Sequence, residues 1–239
     1  MTILSAHGVS KSFLFKGALS PVLKDIDFDL QEGEFVSIVG ASGCGKTTLL
    51  ELLAGITKPD SGCIRYAGEE ITGKTGYLGY MPQDDLLFPW LKVMDNLLLP
   101  GRVRGRNIKE ERKKAIKLLP VFGLQNYQEH LPWQLSGGLR QRVALARTYM
   151  TGSKVWLLDE PLANLDALTR NALQDWIAGI VKELNLSVLL VTHDILEALK
   201  LSDRIQVMKD GVFSGNLPLD KSADELEVKE LGNKIRSLI

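Results

Sequence analysis

The segment Gly40–Thr47, GASGCGKT, has the residue types and spacing of a loop that binds phosphate groups. Its glycines let the backbone curl, so that several N–H groups can point at phosphate oxygens. Lys46 adds a positive charge that can reach the β- and γ-phosphates, and Thr47 adds a hydroxyl that can bind Mg²⁺. The candidate phosphate-binding residues are Gly40, Ala41, Ser42, Gly43, Cys44, Gly45, Lys46, Thr47 and Thr48.

Cys44 lies inside this loop and allows two interpretations. The start of the following helix could activate its thiol, in which case alkylation should block nucleotide binding. Alternatively, it is an inert small residue. The second cysteine, Cys63, forms no metal-type spacing with it, and we expect both thiols to be reduced.

Three further polar positions follow short apolar runs. Asp159 and Glu160 end VWLLDE, and His193 ends SVLLVTH. Because parallel strands open at one edge of a sheet, we expect these side chains to meet the bound phosphates there. Asp159 would hold Mg²⁺, and Glu160 would orient or deprotonate an attacking water. His193 would contact the γ-phosphate or position the water. The alternatives are a helix N-cap aspartate or a solvated turn for the acids, and a hydrogen-bonded structural imidazole for the histidine.

Gln83 also follows a short apolar run, LGYMP. Its side-chain carbonyl could bind Mg²⁺ or water, or the residue could lie in a plain turn.

These residues need a parallel α/β framework to position them. The run EFVSIVG precedes the phosphate loop and the helix-like KTTLLELLAGI follows it. Apolar residues at helical spacing between Leu173 and Leu184 separate the last two strand-like runs, which indicates crossover connections. VLKDIDFDL and CIRYAG are typical of strands near the start of the chain, and KDGV, beginning at Lys209, is typical of a hairpin turn.

The region from Asp84 to about Met150 has a different pattern, which predicts a mostly helical insertion. We predict a helix that begins after Asn107 as its N-cap and stops at Gly123, bent or shortened by Pro120. Further along, Ser222 and Glu225 form the pattern of a capping box for a last helix.

Length and composition limit the number of domains and the kinds of partner. The 239 residues suffice for one large domain or two modest ones, and the formal net charge of zero disfavours a nucleic-acid partner. The chain starts without the basic-then-apolar pattern of a signal peptide, and no apolar run approaches the roughly 20 residues of a membrane span. We therefore expect a soluble protein whose membrane role, if any, comes through partners.

Taken together, the motifs resemble those of the ATP-binding subunit of an ABC transporter. They stand in the family's order over nearly the whole chain: the phosphate loop GASGCGKT, Gln83, the signature LSGGLRQ, VWLLDE, the D-loop ANLD ending at Asp166, and His193. The resemblance implies an α/β P-loop NTPase core with a mostly parallel sheet, an antiparallel β-subdomain and an inserted helical subdomain. It implies a single domain, with the core in residues 1–83 and 151–239 and the helical subdomain in 84–150.

The resemblance also implies functional roles. Phe13, with Phe15 as the second choice, would stack on adenine, although either could be an ordinary core residue. Asp166 would orient the site across a dimer of cassettes. ATP and Mg²⁺ would be the nucleotide and the cofactor. The implied partners are a second, identical or paired, nucleotide-binding subunit, integral membrane permease subunits and an extracytoplasmic solute-binding protein, at the cytoplasmic face of the membrane.

The signature segment gives the dimer a physical basis. Ser136 is typical of an N-cap, and Gly137 and Gly138 leave backbone N–H groups uncovered, yet no lysine and no strand accompany them. One alternative is a buried helix start whose glycines allow close packing. The hypothesis that uses both features is that this element caps the γ-phosphate held by the opposite subunit. The contact residues would be Leu135, Ser136, Gly137, Gly138 and Gln141.

Shorter sequence patterns, which are less specific than the motifs above, indicate the subgroup of ABC transporters. The pattern PWLKVMDN after Gln83 resembles importers of nitrate, sulfonates and taurine, whereas LPWQLSGGLRQR and LDALTR also resemble the subgroup linked to pyrimidine precursors of thiamine. The segment LLFPWL has two interpretations: an apolar loop packed on its own core, or a patch that binds a cytoplasmic helix of a membrane subunit. Leu139 and Arg140 replace frequent glutamines, and Asn164 replaces a small residue, without removing a phosphate ligand or the acid.

Other functional classes are weighed against import. They are a soluble ABC-type ATPase acting on ribosomes or DNA, an exporter or lipid-transport ATPase, and a non-catalytic adaptor. The ribosome or DNA ATPase is disfavoured because this chain has one cassette, a short insertion and zero net charge. The non-catalytic adaptor is disfavoured because Glu160 and His193 are present.

Overall fold

The computed structural model describes residues 1–220 and 225–239, so the Ser222 capping box lies outside the described residues. The described strands are β1 (Thr2–Phe15), β2 (Ala18–Gln31), β3 (Phe35–Val39), β4 (Ser61–Tyr66), β5 (Glu69–Glu70), β6 (Gly79–Met81), β7 (Val155–Asp159), β8 (Ser187–Thr192), β9 (Arg204–Lys209) and β10 (Val212–Pro218). The helices are α1 (Lys46–Leu53), α2 (Val93–Val103), α3 (Ile108–Val121), α4 (Gly137–Tyr149), α5 (Ala167–Glu183), α6 (Ile195–Leu201) and α7 (Glu225–Leu238).

The larger sheet of the described residues has the order β10-β9-β3-β8-β7-β6. All of its pairings are parallel except the edge pair of β9 and β10. Every residue of β3, β7 and β8 is buried, as strands covered on both faces should be. This explains why their sequences are continuous apolar runs, and it confirms the predicted parallel α/β core.

A second, antiparallel sheet has the order β2-β1-β4-β5 within the described residues. The buried residues Leu4, Ala6 and Val9 of β1 belong to the same hydrophobic cluster as Leu49 and Leu53 of α1. The predicted strands VLKDIDFDL and CIRYAG lie in β2 and β4. The expected antiparallel β-subdomain is therefore present, and it covers the helix that follows the phosphate loop.

Helices α2, α3 and α4 lie between β6 and β7, as the sequence predicts. The Asn107 side chain accepts a hydrogen bond from the backbone N–H of Lys109 at 3.0 Å, which confirms the predicted N-cap of α3. Pro120 lies in the last turn, and the chain leaves the helix before Gly123, which has φ of +67°. None of the described helices is both long enough and apolar enough to span a membrane.

The hairpin predicted at KDGV joins β9 to β10. Asp210 and Gly211 have φ of +49° and +79°, as a two-residue type I′ turn requires. The N–H of Lys24 in β2 donates to the Gly211 carbonyl at 2.9 Å, so the turn contacts the antiparallel sheet beside the phosphate loop. Cys44 and Cys63 are both free thiols.

Candidate active site

The register of the parallel strands brings the predicted site residues to one edge of the large sheet. Val39 pairs with Thr192, and Asp159 pairs with Val191. The phosphate loop leaves β3 at that level, Glu160 follows β7 and His193 follows β8. Gln83 lies two residues beyond β6, whose last residue pairs with Leu158. The structure therefore brings together chemistry-bearing residues that are up to about 150 positions apart in the chain.

The phosphate loop is formed around the Lys46 side chain. Lys46 is 5% exposed, and its Nζ donates to the carbonyls of Gly40 at 2.8 Å and Ala41 at 2.9 Å. Gly45 has φ of +108°, and a Cβ there would lie 3.0 Å from the Val22 carbonyl oxygen. A Cβ on Gly40 would lie 2.3 Å from the Met208 carbonyl oxygen. The curled loop fits phosphate because it brings an ammonium and the N-terminal end of α1 to one point.

Thr47 and Asp159 supply oxygen atoms beside the loop. The Asp159 carboxyl is 3% exposed, and the Thr47 hydroxyl interacts with it. Burial raises the pKa of Asp159, and the nearby charge of Glu160 raises it further, whereas the Thr47 hydroxyl and the charge of Lys46 lower it. A hydroxyl and a carboxylate next to bound phosphates are donors that Mg²⁺ prefers. The residues present therefore fit the metal that the sequence predicts.

Glu160 and His193 form a contact pair at the same edge. The Glu160 Oε2 lies 3.0 Å from the His193 Nδ1. Glu160 has φ of +45°, a strained conformation for this residue type, and its N–H donates to the Val191 carbonyl at 2.9 Å. Strain of this kind is often found at functional sites.

The predicted metal ligand Gln83 and the predicted adenine contacts are exposed. Gln83 is exposed on the segment after β6. The Phe13 side chain is 42% exposed near the tip of the β1–β2 hairpin, and the Lys11 Nζ lies 5.4 Å from its ring centroid. Phe15 is 64% exposed. Neither ring is an ordinary core residue, and both remain predictions as adenine contacts.

The signature segment begins α4 as predicted. The Ser136 Oγ accepts from the N–H of Leu139 at 3.3 Å, which confirms the N-cap. Ser136 is exposed, but the predicted contact residues Leu135, Gly138 and Gln141 are buried within this chain.

The two signature glycines also have a packing role. A Cβ on Gly137 would lie 2.9 Å from the Leu165 side chain, and one on Gly138 would lie 2.9 Å from that of Thr169. The close-packing interpretation is therefore correct for both, whatever their role in a dimer.

Asp166 has a local task that the motif did not predict. Its carboxylate accepts from the N–H of Thr169 at 3.0 Å and so caps α5. The hydrogen bonds from Thr169 hold the pKa of Asp166 below its usual value. The residue is exposed. It is thus held in one conformation on a surface that also includes the start of α4.

Some residues around the site were missed by the sequence analysis. Arg170, Asp194 and Glu197 line the cavity next to Glu160 and His193. Arg170 belongs to LDALTR, which served only as a subgroup marker. An arginine on the first turn of a helix is common on surfaces, so no sequence signal distinguishes it.

Comparisons with known proteins agree with this geometry. The family described as ABC transporter matches residues 23–163. The taurine import ATP-binding protein TauB of Pseudomonas aeruginosa is 41% identical over 208 residues, which cover 87% of this chain and 79% of TauB. The aliphatic sulfonates import ATP-binding protein SsuB of Bacillus cereus is 37% identical over 241 residues, covering 98% and 94%.

A solved structure gives the same fold. It is described as the dimeric structure of a post-hydrolysis state of the ATP-binding cassette MJ0796 bound to ADP and Pi. It has a TM-score of 0.80 at 30% identity and covers 91% of this chain and 99% of that chain. With the family match over more than half of the residues, and with relatives near 40% identity, this chain belongs to the ABC transporter family as an ATP-binding cassette that hydrolyses ATP.

Proposed function

We propose that this protein is the ATPase subunit of an importer, and that it energises uptake of a small solute through separate membrane subunits. The convergence of Lys46, Thr47, Asp159, Glu160 and His193 on one sheet edge is the observation that carries the proposal. The direction of transport is supported by the relatives, whose names specify import of taurine and of aliphatic sulfonates. A thiamine-precursor pyrimidine is an alternative solute that rests on sequence resemblance alone.

ATP binds first. Its phosphates enter the loop formed by residues 40–48, and Lys46 exchanges its bonds to the Gly40 and Ala41 carbonyls for bonds to phosphate oxygens. This exchange costs little because a charged group leaves neutral acceptors for anionic ones. Adenine stacks on Phe13, whose ring already faces solvent.

Thr47, Asp159 and Gln83 are the residues that would hold Mg²⁺. The metal supplies positive charge that offsets the charge on the phosphates. Thr47 and Asp159 already interact before ATP arrives, so the two oxygen donors lie on the same side of the loop.

Glu160 then holds the attacking water and accepts its proton, while His193 contacts the γ-phosphate. The 3.0 Å contact between their side chains fixes the water-binding carboxylate relative to the phosphate-binding imidazole. The strained backbone conformation of Glu160 is consistent with this role, because such strain is often found at functional sites.

Two cassettes share each ATP. The exposed Ser136 and the N–H groups of the α4 start cap the γ-phosphate in the opposite subunit. Asp166, already ordered as a helix cap, faces the same interface. ATP binds the closed pair more tightly than the open one, and this difference in affinity drives closure.

Closure moves the permease subunits, to which a solute-binding protein delivers the solute. The exposed side chains of Leu86, Phe88 and Trp90 follow Gln83 and form the proposed patch for the permease. Phe88 and Trp90 contact each other edge to face, with ring centroids 5.3 Å apart. In the proposed complex, the cassette lies at the cytoplasmic face of the membrane.

Substituting Glu160→Gln tests the catalytic assignment. Turnover is expected to fall by about 100-fold or more because the amide cannot accept the proton, whereas ATP affinity should change little. Phosphate release and gel filtration with ATP would measure turnover and the trapped dimer. Glu183→Gln, at the exposed end of α5, is the matched control. Undiminished turnover in Glu160→Gln would refute the role.

The transport role needs a separate experiment. The tagged protein, purified from its own cells in mild detergent, should bring down permease subunits. Solute uptake by vesicles that contain the complex should then depend on ATP and on an added solute-binding protein. Solute efflux instead of uptake would favour an exporter and overturn the proposed direction.

A further inference from the structure

Arg170 connects two segments of the site that are distant in sequence. It lies one turn beyond Asp166 on α5. Its Nη2 donates to the carbonyl of Leu165 at 2.9 Å, and its Nη1 lies 3.8 Å from the Asp194 Oδ2. Leu165 immediately precedes Asp166, and Asp194 immediately follows His193. One guanidinium group therefore spans the D-loop and the segment that carries the histidine.

Asp194 is itself firmly placed. As the N-cap of α6, its Oδ1 accepts from the N–H groups of Leu196 at 2.9 Å and Glu197 at 3.3 Å. The Thr192 hydroxyl on the other side of His193 accepts from the N–H of Asp194 at 3.0 Å. It donates to the Glu197 Oε2 at 2.5 Å. The backbone on both sides of His193 is thus held by one hydrogen-bond network, to which Arg170 is attached.

The space around Arg170 excludes a direct contact with the nucleotide from this position. Arg170, Asp194 and Glu197 line a cavity of about 20 Å³ together with Glu160 and His193. Such a volume holds about one water molecule and is far too small for a nucleotide. Arg170 therefore acts through its neighbours and not on the reacting atoms.

The network also has unused hydrogen-bonding capacity. The Arg170 Nε and the Glu197 Oε1 are buried and have no hydrogen-bond partner within the described part of the chain. Buried polar groups without partners are costly. A movement of the neighbouring segments that gives either atom a partner would therefore be favourable.

We propose that Arg170 is a positioning residue that transmits displacement of the D-loop to His193. The inference rests on the proposed function, in which Asp166 faces the second cassette and His193 contacts the γ-phosphate. A partner that closes on the D-loop displaces the Leu165 carbonyl, and Arg170 passes the movement through Asp194 to the histidine. Hydrolysis thereby depends on the presence of the second cassette.

The test compares Arg170→Met with Arg170→Lys in the full-length protein. The Met variant keeps the aliphatic length but removes both contacts, and its kcat should fall about tenfold or more, with the KM for ATP within about twofold. The Lys variant keeps the charge, but one ammonium cannot reach both partners, so its kcat should fall similarly. Lys182→Met, an exposed cation on the last turn of the same helix, is the control and should retain wild-type kcat. If Arg170→Lys kept the wild-type kcat, a positive charge alone would suffice, and the proposed connection of the D-loop to His193 through both guanidinium contacts would be wrong.

A double-mutant cycle with His193→Ala separates positioning from general stability. If Arg170 acts only through His193, then Arg170→Met should reduce kcat little further once His193 is alanine. If the fold-decreases in kcat of the two single variants multiplied in the double variant, the inference would be wrong. If the Met variant does not fold, as judged from its Tm and circular dichroism, the same cycle is run with Arg170→Lys.

The two possible failures are distinguishable. If the wild-type protein releases no phosphate from ATP, or His193→Ala keeps full activity, then the proposed roles in hydrolysis fail. If the wild type is active and His193→Ala is impaired, but Arg170→Met matches the wild type, only the positioning role of Arg170 fails.

Discussion

Gly45 is the residue at which backbone conformation and packing most strongly limit the sequence. Its φ of +108° disfavours any other residue, and a Cβ there would lie 2.8 Å from the Leu23 side chain and 3.0 Å from the Val22 carbonyl oxygen. We expect Gly45→Ala to lower the free energy of unfolding by about 2–4 kcal/mol and to weaken ATP binding. Urea unfolding and equilibrium ATP binding would measure the two effects.

Gly17 provides the matched control for this prediction. It has φ of +82°, but no atom lies within 4 Å of a Cβ built there. Gly17→Ala should therefore cost only the backbone strain, about 1 kcal/mol. Equal losses in the two variants would show that the contacts around Gly45 are not important.

Glu197 makes stability depend on pH. Burial raises the pKa of its carboxyl, and Asp194 raises it further, whereas the Thr192 bond, Arg170 and His193 lower it. Above the unfolded value near 4.5, the folded protein therefore binds more protons at this site than the unfolded chain. Its contribution to stability is fully present below that value and is lost as pH rises through the folded pKa.

Glu197→Gln should remove this contribution. We expect the variant to lose less unfolding free energy than the wild type between pH 5 and pH 8, as measured by urea unfolding at both. Asp159, whose pKa burial also raises, remains in both proteins and cancels from the comparison. An identical pH dependence in variant and wild type would contradict the prediction.

At the level of single residues, the sequence identified the site residues that belong to recognisable motifs. Lys46, Asp159, Glu160 and His193 were predicted at one sheet edge, and they lie there. Arg170 and Glu197 were not predicted. Their roles come from contacts between α5, α6 and β8, and these contacts leave no short-range pattern.

At the level of elements, the apolar runs of β3, β7 and β8 were recognisable because strands buried on both faces admit few polar residues. The Asn107 cap of α3 and the hairpin turn at Asp210 were predicted from local chemistry. The order of strands in the sheet was not predicted. It depends on pairings between segments far apart in the chain.

Arg147 of α4 ties that helix to the segment after Gln83. Its Nη1 and Nη2 donate to the carbonyls of Leu86 at 2.7 Å and Asp85 at 2.6 Å. We expect Arg147→Met to lower the free energy of unfolding by about 1–3 kcal/mol, because both bonds have a charged donor. The freed segment around Leu86 should also be cleaved faster in limited proteolysis.

Lys113→Met is the control for Arg147→Met. Lys113 forms an exposed pair with Glu110 within α3 at 2.9 Å. Such pairs contribute about 0.5 kcal/mol or less. If the two variants were equally stable and equally resistant to protease, the tie between α4 and the segment after Gln83 would be unimportant.

At the level of the whole molecule, Ser136 separates folding of one cassette from assembly of two. Ser136→Asn and Ser136→Asp should both preserve the cap of α4. Only the aspartate adds negative charge where the opposite cassette's phosphate is expected. We predict that, in a Glu160→Gln background, Ser136→Asp binds ATP as a monomer but forms no ATP-dependent dimer, whereas Ser136→Asn still dimerises.

Gel filtration with and without ATP would measure this. Equal dimerisation of the two variants would mean that Ser136 does not face a phosphate. Loss of ATP binding by the monomer would place Ser136 in its own chain's site instead. The sequence predicted the dimer because the signature has uncovered N–H groups without a lysine, but it could not predict the solute, since no residue of this cassette contacts it in the proposed mechanism.

The pairing of β3 has a consequence for how the chain folds during synthesis. Phe35 pairs with Val188, and Val36 pairs with both Leu189 and Arg204. The strand that leads into the phosphate loop is thus made early, but both of its neighbours are made about 150 residues later. At about 5–20 residues per second, β3 must wait roughly 10–30 seconds for them. A nascent chain therefore exposes an apolar strand with both edges unpaired during that interval, and it cannot form the catalytic edge until most of its residues have left the ribosome.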